Sequence, residues 1–161
     1  MNIWQLIPKT GISLGEIQIT FNDSWQDVCQ KLNLKQAHGV LKEHHINGWF
    51  LDNILETGAS IRFQFEQNSL SEILFCNGSL FFEDINFIGS EIEDVIQQLT
   101  NRGIKIFYDY VEFNYISPEL QIYFCTGEAV GGEGTDVQYV GIVNDECELT
   151  PEIKQVTSPV V

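Results

Sequence analysis

A chain of 161 residues that is 43% hydrophobic and 12% aromatic has the size of one domain, and too much apolar content to stay disordered. Eight Lys and Arg stand against 23 Asp and Glu, a formal net charge of −15, which repels nucleic acid and anionic membranes. No apolar run approaches a membrane span, and Met1–Lys9 has neither the basic start nor the long apolar stretch of a secretion signal, so a single cytoplasmic domain over 1–161 is expected.

In chain order, the first helix is expected from Asp23 or Ser24, both good caps, with Trp25, Val28, Cys29 and Leu32 at helical spacing. His38, His44 and His45 follow in a polar connection. Only His44 and His45 adjoin, and adjacent side chains point in different directions, so they read as loop histidines and not as a metal site. Trp49-Phe50-Leu51 reads as a buried aromatic cluster, with an exposed patch as its alternative. Ser60–Gln67 alternates, placing Ile61, Phe63 and Phe65 on one face, and Leu70–Cys76 continues after a turn around Asn68. Asn77-Gly78 reads as a hairpin turn leading into Ser79–Phe82.

A second helix is expected from Ser90, with Glu93 at capping-box spacing, Glu91, Glu93 and Asp94 near its positive end, and Ile92, Val95, Ile96 and Leu99 as its stripe. Ile104–Tyr108, Tyr110–Tyr115, Leu120–Cys125 and Val137–Val143 read as four more strands, and Gly127–Gly134 as a flexible connection. That Gly-rich segment lacks the Lys and Ser or Thr of a phosphate loop and carries two acids. The resulting fold class is α+β: antiparallel sheet built mainly from residues 60–143, with two helices on one face.

The two helix segments match at an offset of 67 residues. Asp27 aligns with Asp94, Val28 with Val95, Gln30 with Gln97 and Leu32 with Leu99, each after a short apolar stretch. This suggests an internal pseudo-repeat around 14–33 and 83–101, although two amphipathic helices could share the pattern without a duplication.

Chemistry is sparse. Cys29, Cys76, Cys125 and Cys147 form no C-x-x-C pair and read as reduced and structural. Asp109 with Glu112, or Glu83 with Asp84, could act as acid and base, but no nucleophile accompanies them. No catalytic residue, metal or cofactor is assigned. The charge is more informative. Residues 1–82 hold eight acids and five bases (net −3), whereas 83–161 hold fifteen acids and three bases (net −12). Asp109, Glu112, Glu128, Glu133, Asp136, Asp145 and Glu146 form the candidate pool for steering a basic protein partner.

Ile19-Thr-Phe-Asn-Asp-Ser-Trp-Gln-Asp-Val28 and Phe81-Phe-Glu-Asp-Ile-Asn-Phe-Ile-Gly-Ser-Glu-Ile-Glu-Asp-Val95 resemble the strand-then-capped-helix segments of small bacterial immunity proteins from polymorphic-toxin and contact-dependent growth-inhibition systems. The likeness covers roughly 14–143 and rests on capping and packing motifs. The chain departs by lacking a Gly-Met pair before the first helix and by the insert holding His44 and His45. The resemblance implies a non-enzymatic protein that binds and neutralises a cognate toxin, often a basic nuclease; no site residue carries over from it. A small enzyme or ligand-binding domain is the second reading, and a self-associating adaptor the third.

Overall fold

The computed structural model describes residues 3–33, 40–43, 46–54, 59–144 and 157–160, with backbone only for 40–43, 46–54 and 157–160. The elements run β1 (Trp4–Ile7), β2 (Gly11–Leu14), β3 (Ile17–Thr20), α1 (Trp25–Lys31), β4 (Val40–Glu43), β5 (Ile46–Ile54), β6 (Ala59–Glu66), β7 (Ser69–Asn77), β8 (Leu80–Phe82), β9 (Ile85–Asn86), α2 (Ile92–Asn101), β10 (Ile106–Asp109), β11 (Asn114–Ser117), β12 (Ile122–Thr126), β13 (Val137–Val143) and β14 (Thr157–Val160). They build a 5-stranded sheet ordered β3-β2-β1-β8-β9 and a 9-stranded sheet ordered β14-β10-β11-β12-β13-β7-β6-β5-β4. The larger sheet is antiparallel throughout, and the smaller has one parallel pair, β1 with β8. The protein is therefore an α+β fold, with two α-helices among the described residues. Its second sheet comes from segments too short to show a period.

Asn77-Gly78 is not a hairpin turn. β7 and β8 belong to different sheets, and the pair makes the corner between them. Gly78 has φ +93 and lies so close to Ala59 that an added Cβ would sit 2.8 Å from its Cα. The hairpin is instead β6–β7, closed by Gln67 and Asn68 at φ 51 and 62, the left-handed pair that a two-residue turn requires.

α1 begins as its sequence dictates. Ser24 Oγ accepts from the Asp27 backbone N–H (3.2 Å) while Asp27 Oδ2 accepts from the Ser24 N–H (2.9 Å), completing a capping box. The Ser24 backbone and hydroxyl donors hold the Asp27 carboxyl below its ordinary pKa. α2 departs from expectation: its N-cap is Glu91, not Ser90, and no side chain caps it. The approach to α2 is drawn into pairing with the start of β13. Val137 N–H donates to Ser90 O (2.8 Å), Gly89 N–H to Val137 O (2.9 Å) and Ile92 N–H to Thr135 O (3.0 Å). The segment leading into β13 thus supplies the acceptor that a capping side chain would have offered.

One apolar core joins both sheets and both helices. Trp4 of the smaller sheet meets Phe75 of the larger edge-on at 6.0 Å, and Phe87 meets Phe124 at 5.9 Å. The helix stripes enter this core through Val28, Leu32, Val95 and Leu99, all buried. Leu32→Ala and Leu99→Ala should each destabilise the protein by about 2 to 4 kcal/mol, read as a lower urea midpoint at unchanged slope.

The 67-residue offset returns in the backbone. The N-caps are Ser24 and Glu91. Leu70 N–H donates to Asp23 O (3.0 Å), and Val137 N–H makes the matching bond to Ser90 O. β7 and β13 lie antiparallel with Ile73 opposite Ile142 and Phe75 opposite Val140. Shifting 73 and 75 by the same 67 gives 140 and 142, so this pairing maps onto itself. The order hairpin (β2–β3 or β8–β9), helix and four-strand meander (β4–β7 or β10–β13) occurs twice among the described elements, and the two meanders meet at the β7–β13 seam.

Candidate functional site

The C-terminal meander gathers the most distinctive surface of the described residues. β10 ends at Asp109 and β11 starts at Asn114; β12 ends at Thr126 and β13 starts at Val137. With these strands adjacent and antiparallel, the turn 110–113 and the connection 127–136 emerge at the same end of the sheet. The N-terminus of α2 joins them through the Glu91–Asp136 bridge and the Thr135 hydroxyl, which donates to the Glu91 carboxylate at 2.8 Å.

Four large apolar side chains are exposed among the described residues, and all lie in these two connections: Tyr110 (50%), Val111 (59%), Phe113 (51%) and Val130 (48%). Alternation predicts a strand over Tyr110–Tyr115, with Tyr110, Glu112 and Asn114 on one face and Val111, Phe113 and Tyr115 on the other. The structure breaks that run into a turn because Asp109, only 3% exposed, folds over it. Its Oδ1 accepts from the N–H groups of Val111 (2.8 Å) and Glu112 (3.2 Å). Phe113 leaves the turn at φ 58, a left-handed conformation ordinarily filled by Gly or Asn.

Aromatic rings tie the turn to the core. Tyr110 meets Tyr108 at 6.2 Å, Tyr108 meets Tyr115 at 4.8 Å, and Tyr115 stacks on Phe124 at 5.7 Å. Burial pushes the Tyr115 hydroxyl pKa up, and the charges of Tyr108 and then Glu93 push it the same way.

The candidate acids divide. Glu112 is exposed within the turn, and Glu128, Glu133 and Asp136 are exposed in the connection beyond β12. Asp109 drops out of the surface pool, because it is buried and holds the turn. Asp145 and Glu146 lie outside the described residues, as do His38, His44, His45 and Cys147. Glu91, Glu93 and Asp94, exposed at the start of α2, add to the same end; their sequence signal marks only a helix terminus. Among the described residues the ion pairs are Lys31 with Asp23, and Arg102 with Glu83 and Asp84, none of them involving these seven exposed acids. Seven carboxylates without a cation partner among the described residues leave a negative field around the apolar turn.

Other candidates resolve into structure. Glu83 and Asp84 clamp Arg102 at the far end of α2. Cys29 and Cys125 are free thiols, and burial pushes Cys125 up to about 11, away from thiolate chemistry at neutral pH. The Gly127–Gly134 segment is a bonded loop around a 3-10 turn at Glu128–Val130: Gly132 N–H donates to Gly127 O (2.8 Å) and Glu128 N–H to Gly134 O (3.0 Å). Trp49, Phe50 and Leu51 belong to β5, and their side chains lie outside the described part of the structure.

Among the described residues no helix is long and apolar enough to cross a membrane. Comparison with protein-family models, curated proteins and solved structures finds no match to this chain.

Proposed function

We propose that the protein is an immunity-type inhibitor, which binds and neutralises a basic bacterial toxin domain through the acidic end of its C-terminal meander. The observation that carries this reading is the coincidence at one end of exposed acids, without cation partners among the described residues, and exposed apolar side chains. A basic partner would be attracted from a distance by the first and held at short range by the second. The likeness of the two capped-helix segments to immunity proteins agrees with such a role.

The test uses the toxin domain encoded by a gene adjoining the one for this chain. Co-production should rescue growth, and purified toxin should bind quickly at low salt and more slowly as salt rises. Changing Glu112, Glu128, Glu133 and Asp136 together to Lys should lower the association rate by about 10- to 100-fold at low salt, with the thermal melt preserved because all four are exposed. Equal rates and equal protection from both proteins would rule the electrostatic mechanism out.

A further inference from the structure

We infer that the turn Tyr110-Val111-Glu112-Phe113 is a preformed docking tip that enters an apolar recess rimmed by Lys or Arg on the partner, and that it sets the lifetime of the complex. The inference rests on reading this end as the partner-binding surface and assigns the tip a role separate from the surrounding acids.

Three features of the turn point to a ligand. Turns ordinarily carry Gly, Asn, Asp or Ser, whereas this one places three large apolar side chains in water. One of them, Phe113, occupies a left-handed backbone position, where Gly or Asn would be less strained. Its shape is nevertheless fixed: the buried Asp109 carboxylate pins two of its N–H groups, and Tyr110 is braced by Tyr108 and Tyr115 on Phe124. A rigid aromatic anchor loses little freedom on binding, which is the property of residues that dominate interface affinity. The chemistry of the occupant follows from the surroundings. Glu112 lies within the tip, and the exposed Glu128, Glu133 and Asp136 belong to the connection that emerges at the same end of the sheet, so an apolar recess without cations would strand these carboxylates on desolvation. A recess flanked by Lys or Arg would pair them.

The probe is a displayed library of short random peptides, panned against the immobilised full-length chain. The expected winners combine Lys or Arg with bulky apolar residues. Synthesised winners should dissociate at least about tenfold faster from Y110S and from F113G. F113G should also melt at a higher temperature than the parent, since Gly relieves the left-handed strain. Weaker binding from a more stable variant is a result that a purely structural turn cannot give. No enrichment, winners without basic residues, or dissociation unchanged in both variants would overturn the inference. If both tip variants bind like the parent while the fourfold Glu/Asp→Lys protein binds none of the winners, the tip fails and the acidic-surface reading stands.

Discussion

Phe124→Ala should destabilise the protein by about 3 to 5 kcal/mol, among the largest losses any single truncation can produce here. Phe124 is fully buried in β12 and touches aromatic rings on two sides, Phe87 after β9 and Tyr115 on β11. Truncation removes apolar burial and leaves a ring-sized hole between the two sheets, which a close-packed interior refills poorly. A second effect separates this site from other core positions. Tyr115 loses the ring on which it stacks, and Tyr115 supports Tyr108, which supports Tyr110. The variant should therefore release a bound partner faster even at temperatures where it is fully folded, whereas Leu32→Ala, in the other half, should weaken stability alone. Urea unfolding and dissociation rates, measured on both variants, check the two parts separately.

Gly11→Ala should be of similar severity, on the order of 3 kcal/mol, for a backbone reason. Gly11 opens β2 at φ +152, where an L side chain is strained, and an added Cβ would fall 1.9 Å from the carbonyl oxygen of Ile19 on β3. That oxygen belongs to a paired strand, so relief requires the β2–β3 ladder itself to move. Gly15 provides the contrast: it also has positive φ (+60), but nothing lies within 4 Å of its Cβ position. Gly15→Ala should cost about 1 kcal/mol for the left-handed conformation alone. Comparable melting temperatures for the two variants would show that close approach at Gly11 is not limiting.

Much of this fold was readable from local rules where a local rule was also the deciding force. Ser24 with Asp27, and the stripe of Val28 and Leu32, specify α1 almost by themselves, and the strict alternation of Ile61, Phe63 and Phe65 specifies β6. The failures occur where tertiary pairing overrides such rules. Ser90 has the right neighbours for a cap, yet Val137 of β13 captures its carbonyl, and Thr135, just before β13, supplies its O to α2. Asn77-Gly78 has the composition of a hairpin turn but sits where the chain changes sheets, a distinction that depends on β8 finding β1 more than sixty residues away in sequence. The smaller sheet is invisible to periodicity because strands of four residues or fewer leave no measurable period. At the candidate site, charge asymmetry pointed to Glu112, Glu128, Glu133 and Asp136, and the structure gathers them at one end. It could not distinguish Asp109, an acid turned inward to fold a turn, from acids facing water. The apolar tip was hidden by the same turn, because only the Asp109 hydrogen bonds reveal that Tyr110–Phe113 are not a strand.

The seam between β7 and β13 also constrains the order in which the chain can become a folded protein. Residues 59–77 can close their hairpin locally as soon as they are made. The other edge of β7 must wait for residues 137–143. On a ribosome the first half therefore emerges with an open strand edge carrying Ile73 and Phe75, an invitation to pair with another nascent chain. Joining that edge last, through partners far apart in sequence, makes assembly of the large sheet a slow, late step. The same seam that closes the large sheet leaves each newly made copy exposed until residues 137–143 have been synthesised.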